Sequence, residues 1–168
     1  MIKPIAALLL AACFTAASAN DDNPALRKLF DADQKERDVP ISQMDVATLN
    51  AHDREREAAV RLMVQGSELH TSEDFFNAAV IMQHGLESDD YRLAYSLATI
   101  ATHMDPANSL AKWLTAATWD RLMISLGRRQ WYGTQYQASK NGSMELRPME
   151  PNAVSALDRI KLGVPSSP

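Results

Sequence analysis

Three sets of an acid and an arginine are the residues of this chain best placed to do chemistry. The sets are Asp33 with Arg37, Asp53 with Arg56, and Asp120 with Arg121. On a helical wheel each set lies on, or at the edge of, the apolar face of its segment, where a charge must be paired or used. One interpretation is a structural ion-pair network between helices. The other is an arginine-lined pocket for a small anion such as a carboxylate, with the aspartates orienting the guanidinium groups.

His84, which follows Gln83 at the predicted end of a helix, is a further polar candidate. A histidine in the last turn of a helix can bond free carbonyl groups and is favoured by the helix dipole. Its imidazole can equally act as a general base or bind a ligand, because it titrates near neutral pH. Both interpretations stay open, and the second makes His84 and Arg121 candidate catalytic residues.

The run over 130–135 combines glutamine amides with a tyrosine hydroxyl around a glycine. These groups could be satisfied within a hairpin strand, or they could offer neutral donors and acceptors to a ligand that approaches the backbone at Gly133. The predicted ligand-binding set is Asp33, Arg37, Asp53, Gln83, His84, Asp120, Arg121, Gln130, Tyr132 and Gln135.

Motifs for other chemistries are missing from the sequence. The His52-Asp53 doublet is similar to part of the metal site of all-helical phosphohydrolases, but that pattern needs a histidine before the doublet, and none precedes it. No pair of histidines has the spacing of a helical zinc motif, and no nucleophile elbow, phosphate loop or dinucleotide glycine pattern occurs. We therefore predict no metal site and no cofactor.

The N-terminal segment predicts export. Lys3 precedes an almost wholly apolar run over 5–16, and the small residues at 17–19 fit a signal-peptidase site, so residues 1–19 are predicted to be a signal peptide. Residues 10–13 also resemble a lipobox, in which Cys13 would be lipidated. The expected location is periplasmic or secreted. Lipid anchoring at Cys13 is the alternative, and it is the one route we see to a membrane.

The length and the net charge of the chain restrict the possible domain organisation and the possible partners. A chain of 168 residues suits a single domain, and a net charge of -4 at pH 7 makes a nucleic-acid partner unexpected. We predict one helical domain over 20–163 followed by a flexible tail over 164–168. Because Cys13 is the only cysteine, that domain has no disulfide and must be stabilised by helix packing.

Hydrophobic periodicity and capping signals predict helices over about 24–39, 45–65, 72–84, 89–104, 110–127 and 152–162. The third and fourth would form an αα-hairpin of tetratricopeptide-repeat length. Short strands are predicted over 131–138 and 143–149, joined across the turn signal Asn141-Gly142. The expected fold is mainly α: a single bundle of five to six helices with a TPR-like αα-hairpin and a short C-terminal β-hairpin.

The helix over 110–127 is expected to carry the site. On a wheel centred on Leu110, Leu114, Ala117 and Ile124 fall within about 40 degrees, and Arg121 lies only about 20 degrees away. We therefore expect Leu110 in the core and the Arg121 guanidinium in the middle of the buried stripe.

The polar motifs occur in a recognisable order: DQxxR at 33–37, Asp53 before Gly66, QH at 83–84, DR at 120–121 and QxYGTQ at 130–135. Over about 26–135 the chain resembles a bacterial domain family of unknown function whose members are often exported or lipid-anchored. The resemblance implies a mostly helical domain in which these polar positions meet, and it implies no activity. Where the family has a small residue followed by an acid, this chain has Gly85, and Glu87 or Asp89 would replace the acid.

The sequence leads us to expect an exported helical domain that binds a small anionic ligand, or a protein or peptide partner, through this polar site. The alternative is a hydrolase acting on a cell-envelope or peptide-like substrate, with His84 as base and Arg121 stabilising an anion. A third possibility is a scaffold that uses the αα-hairpin as an interaction surface. Whether the protein is an enzyme stays open at this point.

Overall fold

The computed structural model describes residues 21–40 and 43–165. Its helices are α1 (Pro24–Arg37), α2 (Val46–Gln65), α3 (Ser72–Met82), α4 (Ser88–Met104), α5 (Ser109–Ser125) and α6 (Ala156–Lys161), and its strands are β1 (Tyr136–Ala138) and β2 (Met144–Leu146). The prediction of a mainly helical bundle with a short C-terminal β-hairpin is confirmed. The predicted signal peptide and Cys13 lie outside the described residues. No helix within the described ranges is long and apolar enough to cross a bilayer.

Polar side chains begin the helices at the expected places. Asp45 caps α2 by accepting from the backbone N–H groups of its first turn, and Asn108 does the same for α5. Thr71 and Asp74 form a reciprocal capping box at the start of α3. Each cap satisfies donors that a helix cannot satisfy internally, which is why these boundaries could be predicted from residue type alone.

The core forms around α3, which packs against α1, α2 and α4. Its residues from Ala78 to Met82 are all buried, as the apolar composition of this helix predicts. Helices α3 and α4 form the expected αα-hairpin, since Ser72 at the start of α3 donates to the carbonyl of Ala101 near the end of α4 (3.0 Å). Helix α5 packs mainly against α4 and also contacts α3.

The buried face of α5 differs from the predicted one. Leu110 is 64% exposed, and Trp113 is also exposed, so the expectation that Leu110 lies in the core is wrong. Leu114 and Ala117 of the predicted stripe are buried, but so are Ala111 and Ala116, which lie outside it. Alanines let two helices approach closely but contribute little to a hydrophobicity pattern, and the wheel therefore centred on the larger side chains instead.

The β-hairpin is shorter than predicted and is turned at Gly142, which has a φ of 85°. Its strands contain three residues each and pair Tyr136 with Leu146 and Ala138 with Met144. The first predicted strand begins only at Tyr136, because the backbone before it bends around a carboxylate from α5. Two strands this short have no stability of their own, so contacts with the helices must hold them in place.

Asp120 provides that contact. Its side chain is completely buried, and its two oxygens accept from the backbone N–H groups of Trp131 (2.7 Å), Tyr132 (2.9 Å) and Thr134 (3.0 Å) and from the Thr134 hydroxyl (2.8 Å). Gly133, whose φ is 79°, allows this loop to close around the carboxylate. A bend held by four bonds to one ionised group is a strong anchor.

The C-terminal helix is also shorter than predicted, because Ser155 rather than Asn152 caps it. Val164, which was predicted to begin a flexible tail, is only 2% exposed, and its N–H donates to the carbonyl of Arg159 (3.0 Å). That boundary is therefore wrong by at least one residue. Residues 166–168 lie outside the described part of the chain.

Replacing Asp120 with asparagine should lower the free energy of unfolding by about 2–4 kcal/mol, because one acceptor oxygen becomes an amide that faces N–H donors. Chemical denaturation measures the change. Asp89→Asn is the matched control, since Asp89 is exposed and bonds only the exposed Arg92. Equal stabilities for the two variants would show that Asp120 does not anchor the loop.

Candidate functional site

Two of the three acid–arginine sets meet in one network between α1 and α2. Arg37 bonds Asp33 within α1 (Nε to Oδ1, 3.1 Å) and reaches Asp53 of α2 (Nη2 to Oδ1, 2.5 Å). Arg56 bonds Asp53 (2.8 Å) and Glu36 (2.9 Å). The guanidinium groups therefore cross-link the two helices, as the ion-pair interpretation of these sets predicts.

Burial and pairing act against each other in this network. Burial raises the pKa of the Asp33 carboxyl despite the nearby charge of Arg37. Burial also acts on Asp53, but hydrogen bonds from Arg56 and Arg37 overcome it and hold the pKa of Asp53 below its ordinary value. The two arginines thus compensate acids that would otherwise be too costly to bury.

His84 lies at the end of α3 beside this network. Its Nε2 is buried, has no hydrogen-bond partner and lies 3.6 Å from Oδ2 of Asp33, which is too long for a hydrogen bond. Burial lowers the pKa of His84 to about 3, and the positive charges of Arg37 and Arg121 act in the same direction. The imidazole is therefore neutral at physiological pH.

The third set does not form a pair, and its interpretation as an acid that orients a guanidinium is wrong. Both oxygens of Asp120 accept hydrogen bonds from the 131–134 backbone, while Arg121 lines a separate cleft. Arg121 forms no salt bridge within the described part of the chain, and its Nε is buried without a hydrogen-bond partner. Adjacent helical residues differ by about 100 degrees in direction, which is why neighbours in sequence need not share a site.

Arg121 lines a cleft of about 330 Å³ between α4, α5 and the β-hairpin. The polar groups around it are Tyr91, Ser125, Gln135, Tyr136 and Arg147, with Leu86 and Ile124 as apolar walls. Burial raises the pKa of the Tyr91 hydroxyl, although the charge of Arg121 opposes that change. The hydroxyl is therefore neutral and available as a donor.

The other predicted site residues do not meet in one place. Gln130 is fully buried and satisfied within the hairpin stem, where it bonds the backbone of Gln135 and Arg147. Tyr132 is half-buried in the anchored loop, and Gln83 lies in a separate apolar groove between α1, α3 and α5. Gln135 lines the Arg121 cleft. Asp33, Arg37 and Asp53 form the network, and His84 lies between it and the cleft.

Tyr91, Tyr136 and Arg147 line the cleft but were not predicted as site residues. One indication for Tyr91 was present in the sequence, because Tyr91 and Tyr95 are four residues apart and share a face of α4. Arg147 offered none, because it reaches the cleft only through the strand register that places Tyr136 opposite Leu146. No local pattern shows such a register when both strands are this short.

Gly85, just after the end of α3, packs directly against Asp90 of α4. A side chain at Gly85 would lie 2.3 Å from Cβ of Asp90, so only glycine fits there. Asp90 accepts from the backbone N–H of Glu87 (2.9 Å) and pairs with Arg61 of α2. The acid that lies against Gly85 is therefore Asp90, and the expectation that Glu87 or Asp89 replaces the acid of the resembled family stays a prediction.

Glu57 of α2 lies close to this acid and is half-buried. Burial raises its pKa to about 7, and the negative charges of Asp90 and Asp53 add to the effect, while Arg61 opposes it. The charge of Glu57 also acts on Tyr91 in the cleft. A carboxyl group next to the site therefore changes its charge close to physiological pH.

Replacing Arg56 with methionine should lower the free energy of unfolding by about 3–5 kcal/mol, because Asp53 and the completely buried Asp33 lose a compensating charge. Thermal and chemical denaturation measure the loss. Arg92→Met removes an arginine from an exposed pair and should change stability little. A comparable loss in both variants would contradict a structural role of the network.

Glu57 should make stability depend on pH. Its pKa in the folded protein is about 7, above the ordinary value of 4.5, so its contribution is fully present below pH 4.5 and is lost as the pH rises through about 7. Between pH 5 and pH 8 the wild type should lose about 1–2 kcal/mol relative to Glu57→Gln, a value reduced for solvent screening of a half-buried group. Glu55→Gln, on the exposed face of α2, is the control and should follow the wild type. Parallel pH profiles for all three proteins would contradict this assignment.

Comparison with known proteins finds no family model, no curated protein and no solved structure that matches this chain. The resemblance to a bacterial family of unknown function stays a prediction. The case for a function therefore depends on the geometry of the Arg121 cleft and of the network beside it.

Proposed function

We propose that this protein binds a small anionic ligand in the cleft lined by Arg121, and that it does so outside the cytoplasm. The single observation that carries the binding proposal is the state of Arg121: a largely buried guanidinium with no acid partner within the described chain. Support for the location comes from the signal-peptide pattern of residues 1–19 alone.

An unpaired buried charge is unfavourable for folding. Removing a guanidinium from water costs several kcal/mol unless an anion and hydrogen bonds compensate it. An arginine cannot escape this cost by losing its proton at physiological pH, although burial lowers the pKa of Arg121. The network beside the cleft shows that this fold can supply acid partners for buried arginines, and Arg121 has none. A ligand anion is the natural compensating group.

The groups around Arg121 suit an anion of modest size. Arg147 supplies a second positive charge, while Tyr91 and Gln135 offer neutral donors. Guanidinium groups bind carboxylates and phosphates through parallel N–H bonds, and neutral donors add direction without repelling other charges. Leu86 and Ile124 would cover an apolar part of the ligand.

His84 favours binding over hydrolysis in this site. A general base works best when its pKa lies near the operating pH, whereas burial and two neighbouring arginines lower the pKa of His84 to about 3. Such an imidazole is a weak base at neutral pH. Because the imidazole is neutral, it adds no third positive charge beside Arg37 and Arg121. Arg121 therefore stays available for a ligand.

Replacing Arg121 with methionine should abolish binding of a simple anion without harming the fold. Isothermal titration with hexanoate and with inorganic phosphate should show at least a tenfold loss of affinity, equivalent to about 1.4 kcal/mol. The free energy of unfolding should stay within about 0.5 kcal/mol of the wild type or rise, because an uncompensated buried charge is removed.

Arg92→Met is the matched control, since it removes an exposed arginine from the neighbouring helix α4 and should leave binding intact. A destabilisation of Arg121→Met by several kcal/mol, with anion affinity unchanged, would assign Arg121 a structural role and end the proposal.

A further inference from the structure

We infer that the ligand of the Arg121 cleft carries two anionic groups separated by an apolar linker, and that Arg128 and Arg129 bind the second group. The inference rests on the proposed function, because it assigns the outer half of the same site. The two proposals can be tested separately, because binding of an anion at Arg121 does not need Arg128 or Arg129.

A second cleft of about 330 Å³ adjoins the first at the end of α5. It is lined by Gly127, Arg128, Arg129 and Pro148, and it shares Ile124 and Arg147 with the Arg121 cleft. Because two residues line both spaces, the clefts are direct neighbours, and together we call them the groove. Arg147 stands where they join.

The end of α5 places Ile124 between the two sets of arginines. Ile124 follows Arg121 by three residues on the same face of α5, and it lines both clefts. Gly127, with a φ of 71°, ends the helix, and the N–H of Arg128 returns to the carbonyl of Met123 (2.9 Å). Two positively charged ends therefore flank the apolar Ile124.

The arginines of the groove have no acid partner among the described residues. Arg121, Arg128, Arg129 and Arg147 form no salt bridge with any other residue that the structure describes. The chain has 21 acidic and 17 basic residues, so a shortage of acids does not explain this. The C-terminal end of a helix favours nearby cations, which accounts for Arg128 and Arg129 singly but not for Arg121 within the helix or for Arg147 on the hairpin.

The two ends differ in chemistry. At the inner end, which is the Arg121 cleft, Tyr91 and Gln135 lie beside the arginines. The outer end, which is the cleft with Arg128 and Arg129, has no neutral side-chain donor among its lining residues. A carboxylate or phosphate fits either end, since both groups accept parallel bonds from guanidinium. The ligand class is therefore an elongated dianion, and the nature of its acid groups is for experiment to distinguish.

The test compares hexanoate with dianions of increasing length. Titration of the wild type with succinate, adipate and suberate should show a maximum at one of the longer acids, which should bind at least about tenfold more tightly than hexanoate because its second contact is intramolecular. A parallel titration with hexane-1,6-bisphosphonate distinguishes phosphorus acids from carboxylic acids at matched length.

The double variant Arg128→Gln/Arg129→Gln should reduce the affinity for the best dianion to that for hexanoate and leave hexanoate binding unchanged. The double variant Lys28→Gln/Lys140→Gln removes the same net charge from exposed positions elsewhere and should keep the preference for dianions. The comparison separates a specific second contact from general attraction by the charge of the protein.

The outcomes separate the two proposals. Failure of the wild type to bind hexanoate, phosphate or any dianion overturns the proposed function. Hexanoate binding with no gain for any dianion overturns the present inference alone, as does an equal loss in both double variants. Binding of an aspartate-rich peptide without any gain for short dianions would also overturn it.

Discussion

The carboxylate of Asp120 is the interaction on which the arrangement of this protein depends. It accepts hydrogen bonds from three backbone N–H groups and one hydroxyl of the 131–134 loop. The strands that follow the loop are too short to be stable alone. By holding the loop against α5, Asp120 places Gln135, Tyr136 and Arg147 opposite Arg121. The cleft exists because one buried charge is bonded to the main chain.

The arginines of the protein fall into two groups with opposite energetic roles. Arg37 and Arg56 are compensated by acids on two helices and tie α1 to α2. Arg121 is desolvated without such compensation, and the same is true in part of the half-buried Arg147. His84 lies between the groups and stays neutral. It therefore adds no positive charge that would pair with the acids of the network or repel the arginines of the cleft. The paired arginines stabilise the contact between α1 and α2, whereas the proposed anion binding depends on Arg121.

The sequence was sufficient for the helices, their caps and two of the three acid–arginine sets, because these depend on residues close together in the chain. It failed for Asp120, whose partners are main-chain groups that no side-chain pattern reveals. It failed for Leu110 because an interface of alanines leaves a weak hydrophobic signal. It missed Arg147 because only a strand register brings that residue to the cleft. Most helix boundaries followed from local spacing, whereas the Asp120 loop and the place of Arg147 depend on contacts between distant parts of the chain.

The hairpin is attached mainly at its stem, and this has a thermodynamic consequence for the cleft. When the stem detaches by local opening, one wall is lost while the helical core remains intact. The measured affinity then equals the intrinsic affinity multiplied by the fraction of molecules with the hairpin seated. Changes at the distant turn around Asn141 can therefore tune affinity through that fraction without touching a ligand. Binding of the proposed ligand would, in return, slow amide hydrogen exchange in the hairpin.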